Sequence, residues 1–156
     1  MIGIAAGRNC KRETLMNMNV AAKAEQYYTY EEWLEHDSSE RTELVDGVIY
    51  MMSEPTSQHE AISFEMSRQI GNYLVGKPCR GFSGNSGVRL HKGEDTVFKP
   101  DITVICDPSK ITKKDCTGAP DFIAEILSPS TESHDRIKKF KAYRQAGVFR
   151  ILDYRS

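Results

Sequence analysis

Apolar residues recur along this chain in two kinds of spacing. Between residues 59 and 75, Ile62, Met66, Ile70, Tyr73 and Leu74 fall on one face of a helix, and Gly76-Lys77-Pro78 stops it. The stripe is expected to be core. Shorter, denser apolar runs at 98–106 (Ile102, Val104, Ile105) and 122–127 read as buried strands, ended by Asp107-Pro108 and Ser128-Pro129. Residues 82–90 are rich in glycine and serine but read as a strand ending in Val88-Arg-Leu90. A second helix is predicted over 134–146, closed by Gly147, and a last strand over 148–154.

Local signals sharpen the front of the chain. Thr29-Tyr-Glu-Glu32 has the form of a capping box, which opens a short helix carrying Trp33 and Leu34. Asp46-Gly47 between apolar residues predicts a tight hairpin, because both central positions of a type I′ turn need positive φ. Residues 1–26 show no clear period and are expected to be a flexible leader ahead of a single domain over 27–156. The order of elements gives an α/β arrangement: a mixed central sheet flanked by helices, with an N-terminal β-hairpin extension.

Composition narrows the function classes. The chain has 156 residues, 39% of them hydrophobic, which is enough for one core and too short for two ordinary domains. No apolar run approaches the roughly 20 residues of a bilayer span, so no membrane partner is expected. Lys and Arg number 21 against 22 Asp and Glu, so bulk polyanion binding through a global basic excess is excluded. The distribution is uneven, however. From Glu25 to Glu60 only Arg41 opposes a run of acids, and from His134 to Arg150 only Asp135 opposes a run of bases. Either these are two solvated faces of opposite sign, or a basic rim stands beside an acidic site. Cys10, Cys79, Cys106 and Cys116 form no CxxC pair, and no secretory signal precedes them. They are expected to be free thiols in a reducing, cytoplasmic compartment. Gly81 to Gly87 lacks Gly-Lys-Ser/Thr and is no P-loop.

The candidate chemistry lies in two strands. Asp101 and Glu125 each put a carboxylate in or beside an apolar β segment, and burying a lone carboxylate is costly unless it is paired or binds a cation. Two such acids on adjacent strands would repel, and a divalent cation is their natural counter-charge. Hard oxygen ligands with room for water suit Mg²⁺, with Mn²⁺ as a substitute.

Tyr30-Glu-Glu-Trp-Leu34, Glu43-Leu-Val-Asp-Gly47, His59, Pro100-Asp101, Glu125-Ile-Leu-Ser-Pro-Ser130, Asp135, Lys139, Tyr143 and Gly147-Val148 together carry a resemblance. The chain resembles the PD-(D/E)xK nuclease superfamily and, within it, the Uma-two group of bacterial restriction-type endonucleases, also known as domain of unknown function 820. The resemblance implies a restriction-endonuclease-like core, DNA as substrate, and Asp101 and Glu125 as metal ligands. It also implies Glu43 as a further acid of the site. The superfamily's lysine would fall at position 127, where this chain has leucine. Lys139 is the expected replacement from the following helix, with Lys138 second. A solvated pairing of Lys139 with Asp135 is the alternative. Asp135, Lys139 and Tyr143 are spaced to share a helix face. His59 matches a family position, though a capping or packing role fits equally. Arg136, Lys138, Lys141 and Arg144 are too many to all enter one pocket, and some of them are expected to contact flanking phosphates without base specificity. The family's closing strands look shortened here. That keeps open a catalytically inactive binding or assembly module of the same fold, with a homodimer as a candidate assembly.

Overall fold

The computed structural model describes residues 26–36, 41–84, 86–91, 93–127 and 134–155. The expected leader (save Gln26) and the Ser-Pro segment at 128–131 lie outside the described residues, as does the side chain of Asp135.

The chain opens with α1 (Tyr30–His36) and the hairpin strands β1 (Thr42–Val45) and β2 (Val48–Met51). The capping box forms: the Thr29 N–H donates to Glu32 Oε2 at 2.8 Å and the Glu32 N–H donates to Thr29 Oγ1 at 3.3 Å. The turn is as the dipeptide requires, with Asp46 at φ 50° and Gly47 at φ 78°, and Val45 pairs with Val48. Glycine is needed at 47 twice over, since a Cβ there would also meet the Tyr27 ring. Trp33 of α1 buries itself against Leu44 and Val97.

Next come α2 (Ser57–Leu74), β3 (Arg80–Ser83), β4 (Gly87–Arg89), β5 (Ile102–Ile105), β6 (Asp115–Thr117), β7 (Phe122–Leu127), α3 (His134–Ala146) and β8 (Arg150–Arg155). The central sheet has the order β3-β5-β7-β8, with β3, β5 and β7 antiparallel and β7 and β8 parallel. The parallel pair needs a crossover, and α3 supplies it. This is the mixed α/β sheet between helices that the element order predicts.

Three expectations are corrected. The strand foreseen over 82–90 is two strands in different sheets, because Gly84 turns the chain at φ 74° and β4 then pairs with β6. The stripe of α2 is half-buried rather than core: no residue of that helix is fully buried, and Tyr73 of the stripe is 68% exposed. The cysteines are not all free thiols. Cys79 and Cys106 are joined by a disulfide, since the antiparallel register that pairs Arg80 with Ile105 sets the two preceding and following residues opposite each other. Cys116 is free and buried.

Register assigns the faces. Phe82, Thr103, Ile123 and Ile151 align across the sheet, so their side chains share one face with Ile105. That face meets α3, where Tyr143 and Val148 complete a core with Val88, Phe98, Ile105 and Ile123. The opposite face meets α2, which packs on β3 and β7.

Candidate active site

Ile102 pairs with Ala124, so the next pair outward in the antiparallel ladder is Asp101 and Glu125. Side chains alternate along a strand, and both acids therefore stand on the α3 face at the same end of the sheet. Both line one cleft of about 300 Å³, together with Glu43, His59, Lys99 and Lys139. All the residues expected at the site from sequence (Asp101, Glu125, Glu43 and Lys139) border this cleft, and so does His59.

Each carboxylate is held. Asp101 Oδ2 accepts from the Ile126 N–H at 2.7 Å, and His59 Nε2 lies 3.2 Å from Oδ1. His59 stands in the first turn of α2, where its N–H donates to the Thr56 cap, and its Nδ1 is buried without a hydrogen-bond partner. Glu43 reaches the cleft because β1 is bridged to the 97 segment through Leu44 and Val97. Its Oε1 accepts from the Lys99 N–H and from Lys139 Nζ, each at 2.7 Å. Glu125 Oε1 accepts from the Tyr143 hydroxyl at 2.7 Å. Burial pushes the Glu125 carboxyl up to about 7, Asp101 and Glu43 push it the same way, and Lys139 and Tyr143 oppose the rise. The Tyr143 phenol is raised well above its ordinary value, first by burial and then by the carboxylates around it.

The choice between the two lysines falls to geometry. Lys139 enters the cleft and pairs with Glu43. Lys138 and Lys141 border a separate groove with Val45, His91 and Gln145. Those two are not among the residues that line the cleft. Lys139 and Tyr143 share a helix face as their spacing requires, and one turn of α3 engages two of the three acids.

Sequence reasoning passed over Lys99, Arg41 and Glu54, which also line the cleft. Lys99 is buried, with its Nζ 5.4 Å from the Trp33 ring centre. A lysine two places before Asp101, inside an otherwise apolar segment, was the available signal. Arg41 carried a weaker one, as the lone base in an acidic stretch.

Comparison with known proteins fixes the family. The family model described as "Putative restriction endonuclease", Uma2, matches residues 24–153. The chain belongs to the Uma2 family. Two uncharacterized proteins of Synechocystis sp. resemble this Uma2 chain. One is 35% identical over 115 residues, covering 73% of this chain and 59% of the relative. The other is 27% identical over 112 residues, covering 70% and 63%. The Uma2 chain thus spans about three fifths of the length of the curated relatives it matches. A crystal structure described as "a putative nuclease belonging to DUF820", from Anabaena variabilis, superposes with a TM-score of 0.62 at 24% identity. It covers 80% of this chain and 73% of that one, and it shows that the fold is shared. No described helix of the Uma2 chain is long and apolar enough to cross a membrane.

Proposed function

We propose that this chain is a divalent-cation-dependent endonuclease that hydrolyses DNA phosphodiester bonds. The observation that carries the reading is the pairing of Asp101 with Glu125 on one face of adjacent strands, at a cleft that Lys139 enters from α3. Membership of a family described as restriction endonucleases supports it.

The residues fit a cation. Burial raises the Glu125 carboxyl to about 7, so its ionised form is costly in the folded protein and a cation beside it and Asp101 would relieve that cost. Among the described residues no three acidic, histidine or cysteine side chains form a ready-made metal cluster. A cation here would rest on the carboxylates of Asp101 and Glu125 and keep several waters, which is the habit of Mg²⁺ and Mn²⁺. When bound, it supplies Lewis-acid polarisation of a phosphoryl oxygen and lowers the pKa of water at the site.

The chain's own groups do the rest. Lys139, steadied by Glu43, faces the negative charge that develops on the phosphoryl oxygens as water attacks phosphorus and the P–O bond breaks. It takes the part that Leu127 cannot. Ile126 and His59 hold Asp101 in place. Arg41 and Lys99 add positive charge at the cleft, suited to a flanking phosphate and carrying no base information.

Supercoiled plasmid incubated with Mg²⁺, Mn²⁺ or EDTA provides the test. Nicking or linearisation is expected with either metal and not with chelator. Asp101→Ala and Glu125→Ala are expected to abolish it. Lys139→Met is expected to slow it by about 10²–10³-fold, with Lys138→Met near wild type. A folded wild-type protein that cuts neither plasmid nor single-stranded DNA with either metal sinks the reading.

A further inference from the structure

We infer that Tyr143 is a positioning residue for cation binding: its hydroxyl fixes one carboxylate oxygen of Glu125 so that the other is presented to the cleft. The inference rests on the metal-site reading above and extends it to a residue that does not itself line the cleft.

Tyr143 is fully buried, and its ring is gripped on several sides. Phe98 meets it edge-on with ring centres 5.3 Å apart, and Phe140 lies 6.3 Å away. Its backbone is anchored where α3 ends: the Val148 N–H donates to the Tyr143 carbonyl at 2.9 Å, and Gly147 turns the chain at φ 86°. The hydroxyl therefore has a position set by core packing before any ligand arrives. It donates to Glu125 Oε1 at 2.7 Å, a charge-assisted bond when Glu125 is ionised. A buried tyrosine placed only for stability could give its hydrogen to any backbone carbonyl. This one gives it to the acid at the bottom of the cleft.

The consequence is preorganisation. A glutamate side chain has several rotors, and freezing them at the moment of binding weakens affinity. With Oε1 tied to a rigid phenol, that ordering is complete in the folded protein. Lys139, one helical turn earlier, orders Glu43 in the same way. The face of α3 thus acts as a brace across the acids of the site, as outer partners orient ligating groups in metal centres generally.

Mn²⁺ titration of the full chain, followed by electron paramagnetic resonance, reads the effect without requiring cleavage. Tyr143→Phe keeps the ring and its packing and removes only the bond. It is expected to weaken Mn²⁺ binding about tenfold, the low end of what losing an outer partner does. Val104→Ala, a core change on the opposite face of the sheet that leaves the hydroxyl and the cleft lining in place, is expected to leave affinity within about twofold of wild type. Equal affinity in Tyr143→Phe and wild type overturns the inference while leaving the metal site standing. No saturable Mn²⁺ binding by wild type overturns both. Should Tyr143→Phe not fold, fluorotyrosine placed at position 143 of the otherwise native chain decides the matter. Its ¹⁹F resonance is expected to move with Mg²⁺ on the same binding curve, and an unmoved resonance refutes the coupling.

Discussion

The two helices that cover the central sheet do so on different terms. α2 has the clearer apolar stripe, yet none of its residues is fully buried, and its Phe64 and Tyr73 and the capping Val75 stand open to solvent. α3 is strongly charged, yet it contributes the fully buried Tyr143 and lies against the main core. Amphipathic spacing states which face of a helix turns inward. How dry that face becomes depends on what the rest of the chain puts opposite, and that is decided by the sheet. On the α3 face lie Ile105 and Ile123, reinforced by Val88 and Phe98 from outside the central sheet. Under α2 lies an open groove that includes Ser67, Gly71, Gly81 and Ser83, where small residues fill little space. The thinly covered face is also the one with a covalent tie, for Cys79 borders that groove.

The sharpest way to break this contrast is to cut both helices equally. Tyr143→Ala is expected to cost about 3–5 kcal/mol, and Ile70→Ala roughly 1–2 because its site is already half open. Urea unfolding measures both, and equal losses would refute the asymmetry. Next in size, replacing Cys79 and Cys106 by serine opens a loop of sequence separation 27 and is expected to lower stability by about 3–4 kcal/mol in the chain-entropy account. A loss near zero would mean that the disulfide does not stabilise this face.

Titration comes third. The folded-state carboxyl of Glu125 sits near 7, above its ordinary 4.5, so between those values the folded protein binds more protons than the unfolded one. Stability therefore falls as pH rises across that window, by about 3 kcal/mol for the metal-free protein. Glu125→Gln should lack this component, and denaturation curves in chelator at pH 4.5, 6 and 7.5 compare the two. Parallel pH profiles would show that the carboxyl is not raised. The smallest effect belongs to the exposed aromatic side chains of α2: Phe64→Ser and Tyr73→Ser are expected to change stability by less than about 0.5 kcal/mol. A large loss would mean that those side chains are covered in solution.

Much of the fold was legible because it is written locally. Thr29 and Glu32 satisfy each other within one turn, Asp46-Gly47 can hardly do anything but reverse the chain, and the apolar runs around Ile102 and Ile123 need two-sided burial. The strand at Val88 was legible, but not its separation from β3 as β4, and β6 was not legible at all. Each has only three residues, pairs across a long stretch of sequence, and carries no period of its own. The cysteine pairing was equally hidden. Nothing in the spacing of Cys79 and Cys106 announces a bond, and the β3–β5 register creates it.

The same division runs through the candidate site. Reading along the chain picks out the candidate residues: two acids in apolar strands, a basic helix after the second, and a family resemblance that points to Asp101, Glu125, Glu43 and Lys139. Folding in three dimensions puts Asp101 and Glu125 on one face, turns Lys139 and not Lys138 into the cleft, and sets the Tyr143 hydroxyl on Glu125. The reason is physical. Residue chemistry and helix or strand period are properties of neighbours in the chain. A carboxylate's partners and its burial are set by register between strands and by which helix closes over them, and those contacts join segments far apart in sequence.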